Sequence, residues 1–169
     1  MLHNFLNDQS QSQIAVTLRQ CCAAEKWVAR MIASRPFIDS DHVLSQVTTI
    51  WESLEEADFL QAFAAHPQIG DVKTLQAKYT NTQAIASSEQ SQVASASNDT
   101  IEQLALANQL YIKRFGFIFI ICATGKSAED MLSSLLGRIG NSRQQEIKNA
   151  AAQQLKITLL RLEKLAPSP

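Results

Sequence analysis

Three histidines bound the acid–base chemistry open to this chain: His3, His42 and His66. His3 falls in a terminal helical segment and His42 on the first turn of a capped helix, so both are expected at the surface. His66 differs, because it closes an apolar helix and directly precedes Pro67. Proline removes a backbone donor and biases the preceding residue away from helical geometry, so the His66 imidazole is aimed by a fixed turn. A ring held that way titrates near neutral pH and suits proton transfer. The competing role is a helix-terminal histidine capping its own carbonyls, and on spacing alone that role is the commoner.

Glu89 and Gln90 form the next candidate pair, on a short helix in a polar middle section. A carboxylate near His66 would raise its pKa and orient the ring, while a glutamine amide offers a donor and acceptors to a polar heterocycle. Local geometry does not force Glu89 toward His66, and a solvated helix face is the commoner role for such a pair. The apolar run 115–123 raises a different question, since its backbone N–H and C=O groups need partners. A ligand that reads them like a neighbouring strand is one answer; core packing, which is commoner, is the other. Other constellations fail. No His or Cys stands at a zinc-like offset from His66, so no metal is expected. Gly125-Lys126-Ser127 lacks the phosphate-loop pattern, with Ile120 where its first glycine belongs. Cys122 has no basic neighbour in sequence and reads as a core thiol.

The elements that must position these groups are helices. Glycine and proline, five and four in the chain, gather at a few breaks, and Ala, Leu, Gln, Glu, Lys and Arg dominate between them. A short start at 2–6 leads to 13–22, with Ile14, Leu18 and Cys21/Cys22 on one face, and to 23–33, with Trp27, Val28, Met31 and Ile32 at helical spacing. Pro36 follows where that helix must stop. Ser40-Asp41 offers an N-cap to a helix carrying Val43, Leu44, Val47, Ile50, Trp51 and Leu54. A helix at 55–65 buries Phe59, Leu60 and Phe63, and Pro67 with Gly70 ends it.

Beyond it, 71–97 is polar, with a short helix expected at 87–93. Asn98 or Asp99 caps a longer helix to Arg114, and the solitary strand-like run after it reads as a buried extended connector. Ser127 with Asp130 forms a capping-box pattern for a helix to Ile139, and Ser142 with Gln145 repeats the device for a final helix to Leu165. The stripe of that last helix is Ile147, Ala151, Leu155, Leu159 and Leu162. No internal repeat or linker divides the sequence. The expectation is one all-α domain, 1–169, a bundle of roughly eight helices with one buried extended connector.

Composition narrows the partners. With 15 basic and 16 acidic residues the net charge is −1, which gives no broad field for nucleic acid. No apolar run reaches the length of a membrane span, and the first residues lack the basic-then-apolar order of a secretory signal. Three irregularly spaced cysteines do not make a disulfide scaffold, so a reducing cytoplasm is the expected compartment.

Taken in order, Trp27, Arg35-Pro36-Phe37, Ala65-His66-Pro67-Gln68-Ile69-Gly70, Glu89-Gln90, Asn108 and Tyr111, Arg114-Phe115-Gly116-Phe117 and Phe119-Ile120-Ile121-Cys122-Ala123 resemble the 2-oxo-4-hydroxy-4-carboxy-5-ureidoimidazoline (OHCU) decarboxylase family. Arg138, Asn141, Glu146 and Arg161-Leu162 extend the likeness over nearly the whole chain. The resemblance implies an all-helical homodimer that turns OHCU into (S)-allantoin and CO2 without a cofactor. It makes His66 the catalytic acid/base and Glu89 its partner carboxylate, and reverses the weighing reached from spacing alone. It places Pro67, Ser88, Gln90, Arg161 and the backbone of Phe119, Ile120, Ile121, Cys122 and Ala123 against the substrate. The family's Ser-x-x-Glu-Gln element falls on 86–90, with Ala86 where serine is usual. Either Ser87 substitutes from the next position or that contact is missing.

Such chemistry needs little equipment. The electrons left when CO2 departs must go somewhere, and many enzymes borrow a sink from a cofactor. OHCU carries its own in an imine beside the carbon that bears the hydroxyl and carboxylate. The protein then has to bind the ring, strip water from the carboxylate and deliver a proton to one face. Two rival readings stand beside this one. A non-catalytic helical interaction module predicts an exposed apolar groove and a solvent-facing His66. An amidohydrolase-like step on a ureide requires an activated water, for which the sequence shows no metal site.

Overall fold

A computed structural model describes residues 1–66 and 98–165. The expectations at Pro67, Ala86, Ser87, Ser88, Glu89 and Gln90, and for a helix at 87–93, lie outside the described residues. Those residues form eight α-helices and no strand: α1 Leu2–Asn7, α2 Gln11–Cys21, α3 Glu25–Ala33, α4 Ser40–Glu52, α5 Glu56–Ala64, α6 Asn98–Phe115, α7 Ala128–Arg138 and α8 Arg143–Leu165. The chain divides into two compact units, Met1–His66 with Ile147–Pro169, and Pro67–Glu146.

In the first unit α3 packs on α2, α4 and α5, and α1 packs on α4. Trp27, Val28 and Met31 on α3 are buried, as are Ile14, Leu18 and Cys21 on α2 and Val43, Val47 and Trp51 on α4. The stops and starts are chemical. Ser10 and Gln13 form a reciprocal capping box at α2, with Ser10 N donating to Gln13 Oε1 at 3.0 Å. The cap of α4 is Asp39, one residue before the expected pair: its Oδ1 accepts from His42 N at 2.7 Å. A carboxylate there both accepts the free N–H and complements the positive end of the helix. After α3, Asn7 makes a two-way bond with Phe37, its Oδ1 and Nδ2 each 2.9 Å from the backbone, and Arg35 donates to the carbonyls of Asn7 and Gln9.

These contacts also correct the expectation for His3 and His42, which are half-buried. His3 Nδ1 lies 3.3 Å from Ser40 Oγ, and His42 Nδ1 accepts from Ile38 N at 3.2 Å. Both rings are spent on the start of α4.

The stripe on α8 is corrected too. Within the first unit its inward residues are Ile147, Ala150, Ala151, Gln154, Thr158 and Leu162, whereas Leu155 and Leu159 are half-buried. A stripe drawn through apolar residues alone treats Gln and Thr as outward. Here Gln154 and Thr158 are buried because each satisfies the other. Trp51 Nε1 donates to Ala151 O at 3.1 Å and ties α4 to this face of α8.

In the second unit α6 packs on α7, and the two are joined by a non-helical connector. Gly116 ends α6 at φ 79°, a left-handed cap, with its N–H donating to Ile112 O at 2.8 Å. Along the connector Phe117 and Ile120 are buried, while Ile118, Phe119, Ile121, Cys122 and Ala123 are half-buried. Ser127 and Asp130 make the expected capping box at α7, with Asp130 N donating to Ser127 Oγ at 3.1 Å and Ser127 N to Asp130 Oδ2 at 3.0 Å. No described helix is long and apolar enough to cross a membrane.

Candidate functional site

The first unit contains a cavity of about 270 Å³. It is small enough for a compact heterocycle rather than a drug-sized ligand, for which pockets run from about 300 to 1,000 Å³. Three alanines, Ala23, Ala62 and Ala65, leave the space; Arg19, Gln20, His66, Gln154 and Arg161 supply the polar groups. His66 arrives one residue past the C-cap of α5, its N–H donating to Phe63 O at 3.1 Å, so the end of the helix sets the ring's position. Gln154 and Arg161 stand two turns apart on α8, which the helical repeat brings to one face.

The ring of His66 is half-buried, and its Nε2 lies 2.5 Å from Gln154 Oε1. Burial lowers the His66 pKa below its usual 6.5; the Gln154 bond opposes the shift and the nearby Arg161 charge adds to it. The imidazole is therefore held neutral at physiological pH, the form that accepts a proton. Arg161 is anchored at one corner, with Nη1 donating to Gln20 O at 3.2 Å and Cys21 O at 3.1 Å. These are carbonyls from the last turn of α2, the negative end of that helix. Among the described residues Arg161 has no carboxylate partner. Arg19, by contrast, is spent on Glu25, to which Nε and Nη2 donate at 2.6 and 2.8 Å. The cavity thus presents a neutral base and a guanidinium with no carboxylate partner among the described residues, a pairing that suits an anionic molecule with a proton to lose.

Cys21 and Cys22 are buried, and burial pushes both thiols up to about 11, so neither is a nucleophile at neutral pH. None of the three cysteines forms a disulfide.

The expected backbone clamp belongs to the second unit. There Arg138 Nη1 donates to Ile120 O at 2.8 Å, and the Arg138 guanidinium carbon lies 4.6 Å from the centre of the Phe119 ring. Arg138 Nε also donates to Glu146 Oε1 at 2.5 Å, while Asn141 Nδ2 donates to Glu146 Oε2 at 2.9 Å and the Tyr111 hydroxyl to Oε1 at 2.7 Å. Burial and the Glu146 carboxylate hold the Tyr111 hydroxyl far above its usual range, so it stays a donor. Arg138, paired with the buried Glu146, therefore holds the connector at Phe119 and Ile120.

Of the residues expected from the sequence, His66 and Arg161 meet in one cavity, and Phe119, Ile120, Ile121, Cys122 and Ala123 lie on one connector. Gln154 and Thr158 were not anticipated. The signal available for them is polar side chains at three- and four-residue steps from Ala151 and Leu162, on a face that must be buried.

Comparison with known proteins follows the same lines. A sequence profile described as OHCU decarboxylase matches residues 7–163. The uric acid degradation bifunctional protein TTL of Arabidopsis thaliana is 34% identical over 145 residues, which cover 86% of this chain and 45% of that protein. The bifunctional PucL of Bacillus subtilis is 25% identical, with 31% of its length covered, so the chain spans less than half of either relative. A 2-oxo-4-hydroxy-4-carboxy-5-ureidoimidazoline decarboxylase of Haloferax volcanii is 28% identical over 80% of this chain and 79% of its own. A crystal structure of an OHCU decarboxylase, determined in the presence of (S)-allantoin, has a TM-score of 0.72 at 34% identity, covering 93% of this chain and 98% of that one.

Proposed function

Because the chain belongs to the OHCU decarboxylase family, a family of carboxy-lyases in urate degradation, we propose that it converts OHCU to (S)-allantoin and CO2 without a cofactor. The observation that carries the reading is the cavity in which His66, its pKa lowered by burial, converges with Arg161, which has no carboxylate partner among the described residues. The bond from the hydroxyl-bearing carbon to the carboxylate breaks and CO2 leaves. Its electron pair forms a double bond to the neighbouring carbon, and the imine nitrogen takes up the displaced pair with one proton. His66 removes the hydroxyl proton, the oxygen becomes a carbonyl, and a proton is delivered to the neighbouring carbon to give allantoin. One proton is consumed overall, matching the carboxylate charge lost as CO2.

Arg161 holds the anion, Glu89 is the partner carboxylate, and Pro67, Ser87, Ser88, Gln90 and the 119–123 backbone fix the ring; the Ala86 position lacks the usual hydroxyl. What supports the adjacent assignments is narrower. A homodimer rests on the family likeness, and a cytoplasmic location on three cysteines outside any disulfide. The half-burial of His66 in a cavity argues against a non-catalytic interaction module, which needs that ring in solvent.

The test feeds freshly generated OHCU to the full chain and follows (S)-allantoin by circular dichroism. The wild type should produce one enantiomer faster than spontaneous decay, which is racemic. His66→Asn should lose about 10²–10⁴-fold in turnover, the range of one proton-transfer group, with its melting temperature little changed. Racemic product at the spontaneous rate would defeat the reading.

A further inference from the structure

The hydrogen bonds behind His66 specify which of its two nitrogens carries the proton. Thr158 is fully buried on α8, and its hydroxyl donates to Gln154 O one turn back, at 3.0 Å. A hydroxyl has one proton, so toward the Gln154 side chain this oxygen can only accept. It therefore receives Gln154 Nε2–H, at 3.2 Å. That contact settles the orientation of the amide: its NH2 faces Thr158, and its oxygen faces His66. An amide oxygen has no proton to give, so the 2.5 Å contact with His66 Nε2 requires the proton to sit on Nε2. Cys22, which also bonds the Thr158 hydroxyl, stays a thiol because burial pushes it up to about 11, and so leaves the hydroxyl's donor role intact.

We propose that Gln154, oriented by Thr158, is a positioning residue that holds His66 as the Nε2–H tautomer and so makes Nδ1 the atom that takes the substrate's proton. The inference rests on the decarboxylase reading for its catalytic half and on geometry for its tautomer. Among the described residues Nδ1 has no hydrogen-bond partner, which leaves its lone pair for a ligand. Among the described residues the group bonded to the ring is a neutral amide. An amide fixes the ring without drawing a second charge toward it, so the imidazole stays a neutral base rather than a stable imidazolium.

The experiment uses the full chain with 15N-labelled histidine. Long-range 1H–15N correlation spectra at about pH 8 separate a protonated ring nitrogen from a bare one. The three histidines are assigned with His66→Asn. Wild type should show His66 with a protonated Nε2 and a bare Nδ1. Thr158→Val keeps shape but removes the hydroxyl that orients the amide. It should give mixed tautomers and lower turnover on the order of tenfold, as loss of an outer-shell orienting partner does. Thr158→Ser restores the hydroxyl and should recover both readouts, a rescue that a packing role would not produce. Gln154→Leu should lose the tautomer preference altogether.

A wild-type His66 protonated on Nδ1 overturns the proposal. So does a Thr158→Val protein that loses the tautomer preference but keeps full turnover. A wild type that shows the Nε2–H pattern yet fails to accelerate OHCU breakdown overturns the decarboxylase reading instead, while the tautomer assignment stands.

Discussion

Two buried polar clusters on one helix behave in opposite ways. At the first turn of α8, Glu146 lies among Tyr111, Arg138 and Asn141, each donating to its carboxylate, and the Arg138 charge balances its own. Farther along, Gln154 and Thr158 are equally buried but neutral, and they end on a half-buried His66 and a cavity. The Glu146 cluster belongs to the second unit and the Gln154 cluster to the first. The first arrangement is charged and balanced inside the protein. The second leaves a ring nitrogen and a guanidinium edge without partners among the described residues. Balanced buried charge holds structure in place, whereas buried polarity that stops short of balance faces something that must arrive.

The comparison breaks most directly at Arg138. Arg138→Met keeps the aliphatic stem but strands the Glu146 carboxylate, which should cost about 3–5 kcal/mol of stability in urea unfolding. Arg138→Met combined with Glu146→Leu should recover most of that loss, since no buried charge is left alone. A single variant as stable as wild type would show that the cluster is not a structural ion pair.

Arg161 gives a smaller effect of a different kind. Arg161→Gln removes the charge from the cavity and should raise KM about tenfold through the lost charge-assisted contact, with kcat changing less. A fall in kcat at unchanged KM would move Arg161 from binding to chemistry.

The smallest expected effect is on the pH dependence of stability. His66 has a depressed pKa in the folded chain, so as pH falls below about 6.5 the unfolded chain takes up this proton first. Its contribution is fully present above 6.5 and is lost as pH falls through the depressed folded value. Between about pH 7.5 and pH 5, His66→Asn should therefore lose less stability than wild type, measured as the difference in urea midpoints. An identical loss would mean that burial does not perturb the ring.

The helices were legible because their signals are local. Ser127 and Asp130 cap α7 as their spacing implies, and α3 presents Trp27, Val28 and Met31 inward. The cap of α4 is Asp39 rather than the Ser40-Asp41 pair, because Asp39 and Ser40 are both competent caps and only the backbone decides which oxygen reaches the N–H of His42. The last helix is less legible. Polarity marks Gln154 and Thr158 as outward in any one-dimensional stripe, and nothing local says that each will satisfy the other.

His66 shows the same division. Its type and its place before Pro67 follow from the chain alone, because a proline turn and an imidazole's titration range are properties of adjacent residues. Its catalytic role is the proposal drawn from the family likeness. The tertiary structure decided the downward direction of its pKa shift, its neutral amide partner and its meeting with Arg161. Those depend on α8 returning beside the end of α5, and on burial, which exists only once distant segments have packed and excluded water.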